Sequence, residues 1–110
     1  MIEIKGLTKI YGQMKAVEDL NLTCYKNEVL ALLGHNGAGK TTTISMITGM
    51  QAPTAGDVLV NGNSIMNNVD QVRKDLGLCQ QHDVLYENLQ VREHLALVCR
   101  IKDIPSVEME

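Results

Sequence analysis

With 110 residues, 45% hydrophobic and 21% charged, the chain is one domain or a piece of one, of ordinary globular composition. A net charge of −3 with scattered Lys and Arg excludes a general nucleic-acid binder, which would carry a basic stripe. Cys24, Cys79 and Cys99 are odd in number without C-x-x-C spacing, and His35, His82 and His94 supply no ligand pairs, so free thiols are expected and a zinc site is not. The opening Met1-Ile2-Glu3-Ile4-Lys5 does not read as a signal peptide. The longest apolar run, Val29–Leu33, falls far short of the ~18 residues that suggest a bilayer span.

Taken in order, residues 2–7 and 20–26 are predicted strands, with turns at Tyr11-Gly12 and Lys26-Asn27. Val29–Leu33 is apolar throughout, as a parallel strand buried on both faces should be. A glycine-rich loop follows. Thr42 to Met50 then has a helical pattern, with Ile44 and Ile47 on one face and Gly49 as its stop. Pro53-Thr54-Ala55-Gly56 is a turn, and Asp57–Val60 a short strand closed by the hairpin signal Asn61-Gly62. Val69, Val72 and Leu76 suggest a short helix, and Leu76–Cys79 a further buried strand. Val91, Leu95 and Val98, with Leu97 and Ile101 beside them, form a helical stripe over 91–102 that reads as core packing. Gln90 stands before it, and Gln is a poor N-cap, so a loose helix start is expected. No internal repeat or low-complexity linker is present.

The loop Gly34-His35-Asn36-Gly37-Ala38-Gly39-Lys40-Thr41 carries the chemistry. It fits G-x-x-x-x-G-K-[ST] in the strand–loop–helix context that gives that pattern meaning. Glycines let successive N–H groups turn inward as an anion-binding nest. The helix beginning near Gly39 adds the positive end of its dipole. Lys40 is placed to reach the β- and γ-phosphates, and the Thr41 hydroxyl to ligate the Mg²⁺ that bridges them. Thr42 and Thr43 offer further hydroxyls, Thr42 being the expected phosphate contact. His35 sits within the loop, and its side chain is expected to point out of the nest.

The order of parts resembles the N-terminal half of the nucleotide-binding domain of ABC transporters. Leu7-Thr8-Lys9-Ile10-Tyr11-Gly12 looks like the aromatic adenine-stacking loop, Ala16 to Leu22 like the strand entry after it, and Gly34 to Thr42 like the phosphate loop. Gly77-Leu78-Cys79-Gln80-Gln81-His82 looks like the glutamine loop. His35, together with Gln81-His82-Asp83-Val84-Leu85-Tyr86, is similar to the A subfamily, the lipid-exporter-like branch. Gln80 stands where relatives often carry Pro.

The resemblance implies an α/β P-loop NTPase (RecA-like) core with an N-terminal antiparallel β subdomain, truncated in the helical subdomain. It implies residues 1–81 as β subdomain and core, and 82–110 as the start of the helical subdomain. It implies ATP and Mg²⁺ as ligands. Tyr11 would stack on adenine and Val17 would touch base or ribose or pack in the core. Asn36, Gly37, Ala38, Gly39, Lys40, Thr41 and Thr42 would hold the phosphates. Thr41 and Gln81 would hold Mg²⁺, Gln81 also positioning the attacking water. The signature segment, the apolar strand ending in Asp-Glu and the switch histidine are not in this sequence, so the chain is expected to bind ATP and not hydrolyse it. The implied partners are transmembrane domains and a second nucleotide-binding domain at the cytosolic face of a membrane, with no nucleic acid. A soluble ABC-type ATPase of translation or chromosome maintenance and a truncated binding module are the alternatives. The absence of sustained heptads over 82–110 disfavours the chromosome-maintenance branch.

Overall fold

The computed structural model describes residues 1–105, which fall into two compact units, Met1–Gly77 and the part that begins at Leu78. The first unit is built on a four-stranded antiparallel sheet in the order β2-β1-β3-β4. Strand β1 (Ile2–Tyr11) turns through Gly12 and Gln13 into β2 (Met14–Cys24), with Tyr11 opposite Met14 and Ile2 opposite Cys24. β2 therefore begins well before the expected residue 20. Charged and polar residues at Lys15, Glu18 and Asp19 hide the strand from a hydrophobic-run reading, yet on a sheet edge they simply face water. Strand β3 (Ala55–Val60) pairs with β1 on its other side, and the Asn61-Gly62 turn leads to the two-residue β4 (Asn63–Ser64). Both turn residues have positive φ, 49° and 84°, the geometry the hairpin signal asks for. β1 and β3 come very close at Gly56, where a Cβ would lie 2.2 Å from the Gly6 carbonyl oxygen.

Two helices cover one face of this sheet. α1 (Lys40–Ile47) buries Thr43 and Met46, and α2 (Val69–Asp75) buries Val72. Met46 and Val72 form the core with Ile4, Leu7, Val17, Val58, Val60 and Ile65, and Ile2, Leu20, Leu22, Ile47 and Leu76 pack around it. The buried face of α1 is therefore rotated from the expected one, since Ile44 is exposed. α1 ends as expected at Gly49, whose carbonyl accepts from the Arg73 guanidinium at 2.9 Å and so ties α2 to α1.

The two expected buried strands are not formed. Val29–Leu33 is irregular, with Val29 101% and Leu33 88% exposed, and Leu76–Cys79 is likewise outside any strand. A strand exists only through its ladder partners, and neither run has a neighbour among the described residues. Two short apolar runs that do not pair with each other gain nothing from extended backbone.

In the second unit, α3 (Val91–Ile101) is the only helix among the described residues. Its start is better fixed than Gln90 suggested, because the Glu93 carboxylate accepts from the Gln90 N–H at 2.7 Å, closing the first turn from inside the helix. The stripe Val91, Leu95, Val98 and Ile101 is exposed rather than core. The less exposed residues of the helix are His94, Ala96, Leu97 and Cys99 instead, and nothing among the described residues of this unit covers the stripe. His94 clasps the preceding loop. Its Nε2 accepts from the Tyr86 N–H at 2.8 Å, its Nδ1–H donates to the Gln90 carbonyl at 3.1 Å, and its ring stacks on Tyr86. Those two contacts require the Nδ1–H tautomer.

Candidate nucleotide site

Strand β2 and helix α1 position the glycine-rich loop between them. Gly39 is the N-cap of α1 with φ 87°, and a Cβ there would lie 2.3 Å from the Ala16 carbonyl oxygen and 3.1 Å from Val17 Cγ2. The end of the loop thus rests directly on the β2 backbone, a seat that only glycine allows. Val17, 8% exposed, is mostly committed to the core under that seat. Lys40 and Val17, assigned by sequence to opposite ends of a nucleotide, both border a cavity of about 240 Å³ beside the loop.

The first turn of α1 has no side-chain cap and no acidic residue. Its leading N–H groups, those of Lys40, Thr41 and Thr42, have no carbonyl within the helix to bond, as at any helix start. Most helices answer this with a Ser, Thr, Asp or Asn side chain. Here an anion would fit the vacancy in the bonding pattern, and a carboxylate that would repel it is missing. The Lys40 ammonium donates to the Gly34 carbonyl and, at 2.7 Å, to the His35 carbonyl. An ammonium has three donors, so one remains for a ligand. Thr41 is exposed, and neither its hydroxyl nor that of Thr42 has a protein partner among the described residues. Thr43 differs: it is buried and its Oγ1 donates to the Gly39 carbonyl at 2.9 Å. Asn36, Gly37 and Ala38 are exposed at the loop crest. His35 is exposed as well, and its Nδ1 lies 2.8 Å from the Asn36 carbonyl oxygen, bonded to the backbone of its own loop.

Tyr11 ends β1, 40% exposed, with its hydroxyl donating to Gln51 Oε1 at 2.7 Å. Gln81 is exposed in the second unit, so the first unit gathers every assigned nucleotide contact except this one. The two neighbours that hold Tyr11, Lys9 and Gln51, went unnoticed in the sequence. Lys9 was legible, lying two residues before Tyr11 on the same strand face. Gln51 was not, because only the fold brings position 51 to position 11. No helix among the described residues is long and apolar enough to cross a membrane.

The profile of the ABC transporter family matches residues 17–110. The chain is 52% identical over 101 residues to the glucosylceramide transporter ABCA12 of Mus musculus, covering 92% of this chain and 4% of that protein. It is 48% identical over 107 residues to the phospholipid-transporting ATPase ABCA3 of Homo sapiens, covering 94% and 6%. Among solved structures, an ATP binding subunit of an ABC transporter superposes with a TM-score of 0.89 at 32% identity, covering 98% of this chain and 45% of the other. A dimeric post-hydrolysis state of the ATP-binding cassette MJ0796, bound to ADP and Pi, superposes at 0.82 with 25% identity, covering 99% and 52%. The chain thus spans about half of such a cassette and a small fraction of the transporters it matches. The fold is that of a P-loop NTPase with an antiparallel β subdomain, and the chain belongs to the ABC transporter family, in its A subfamily.

Proposed function

We propose that this chain is the nucleotide-binding part of an ABC transporter that couples Mg-ATP to export of a lipid-class substrate. The observation that carries the reading is the uncapped, acid-free start of α1 beside a lysine already bonded to two loop carbonyls. Gly37 to Thr42 would supply N–H groups and hydroxyls to the phosphates, with Asn36 at the crest and Lys40 on the β- and γ-phosphates. Thr41 would hold Mg²⁺, which would neutralise phosphate charge when bound; the resemblance offers Gln81 for the same ion. Tyr11 would receive the base on its ring, with Val17 as the floor between loop and base. The cassette would face the cytosol, act with transmembrane domains and a second cassette, and divide functionally near residue 81, with 82–110 opening the helical subdomain. The MJ0796 cassette, a dimer holding ADP and Pi, supports the ligand class and the pairing. Similarity to a glucosylceramide transporter and to a phospholipid-transporting ATPase supports a lipid-class cargo.

The test is titration of the chain with Mg-ATP. Lys40→Ala removes a charged donor and is expected to weaken binding on the order of 10–100-fold. Equal affinity of the two proteins would sink the proposal.

A further inference from the structure

Tyr11 lies outside the core, so packing does not orient its ring. Polar contacts from elsewhere in the chain do. Its hydroxyl donates to Gln51 Oε1 at 2.7 Å. The Lys9 ammonium lies over the ring, 5.3 Å from the centroid, and donates to the Ala52 carbonyl at 2.6 Å. Gln51 and Ala52 belong to the segment that joins α1 to β3, and that segment is tied at both ends. The N–H groups of Met50 and Gln51 donate to the Ser45 carbonyl in α1 at 2.9 and 3.0 Å. At the other end the Thr54 N–H donates to the Thr8 carbonyl at 2.8 Å, and Thr54 Oγ1 accepts from the Ile10 N–H at 3.1 Å. A strap of five residues, Met50 to Thr54, therefore connects the phosphate-loop helix to the tyrosine at the end of β1.

We propose that Gln51 is a positioning residue for the nucleotide base, acting through the Tyr11 hydroxyl. The inference rests on the phosphate-loop reading above and deepens it. Lys9 covers one face of the ring, so the base is received on the other, where the cation behind the ring leaves stacking undisturbed. The hydroxyl bond holds the ring's torsions before any ligand arrives. Ordering that would otherwise oppose binding is then already done. Because the strap starts on α1, the platform is set at a fixed span from the helix start where phosphates would sit.

The experiment compares Mg-ATP with Mg-tripolyphosphate, which carries phosphates but no base, on the full chain at high dilution. Gln51→Met keeps the length and removes the acceptor. It is expected to weaken Mg-ATP about threefold, the effect of one modest hydrogen bond, and to leave tripolyphosphate unchanged. Gln51→Glu keeps an acceptor oxygen and should retain the parent affinity. Tyr11→Phe should match Gln51→Met, and the double variant should be no weaker than either single one, since both break the same bond. Gln51→Met with unaltered Mg-ATP affinity overturns the inference. So does an equal loss for both ligands, which would mark general damage. Unchanged affinity of Lys40→Ala for both ligands overturns the phosphate-loop reading itself, and this inference with it, by a separate signature.

Discussion

An alanine at position 39 would have to adopt φ 87° and place its Cβ 2.3 Å from the Ala16 carbonyl oxygen. The left-handed backbone alone costs about 1–2 kcal/mol for a residue with a side chain. The clash is with backbone, which cannot rotate away, so Gly39→Ala is expected to destabilise the chain by about 2 kcal/mol or more. Urea unfolding should show the midpoint fall, and Mg-ATP affinity should fall with it; an unchanged midpoint would mean that the loop does not rest on β2. At this scale the sequence was informative where spacing alone sets the backbone, as at Gly39, the N-cap of α1. It was silent on which way a hydroxyl turns. Thr42 and Thr43 look alike in the sequence, yet Thr43 faces inward and bonds to Gly39. Val17 likewise could be base contact or core, and its burial places most of it under the loop.

The elements rest on local devices as much as on pattern. In α3 the ring of His94 spans from the helix to the Tyr86 N–H. His94→Ala deletes that acceptor, and the Tyr86 amide is expected to exchange with solvent on the order of tenfold faster, the upper end for one modest bond. Amide exchange read by mass spectrometry or NMR would decide it; unchanged protection at Tyr86 would mean the loop is held by other contacts. The hairpin at Asn61-Gly62, the Gly49 stop and the helices α1, α2 and α3 were legible because each carries its own signal within a few residues. Val29–Leu33 misled for the opposite reason. Its composition reports how buried a strand would be, while its existence depends on partners far along the chain. The start of β2 was hidden by polar residues that an edge strand tolerates.

For the whole molecule, the unpaired run from Val29 to Leu33 exposes Val29, Leu30 and Leu33. Such a stretch invites association with other copies. Leu33→Glu is expected to lower the concentration-dependent growth in sedimentation coefficient, and growth that persists unaltered would point to another surface. β4, only two residues long, offers little template at its own edge of the sheet. The division of the chain after Gly77 also has a consequence for how the molecule comes apart. Residues 78–85 are exposed and lie outside any helix or strand, which makes them the natural place for a protease to nick. Brief digestion is expected to leave a resistant product close to Met1–Gly77 that still retains Mg-ATP on a filter; a product that no longer does would mean that a needed contact lies beyond Gly77.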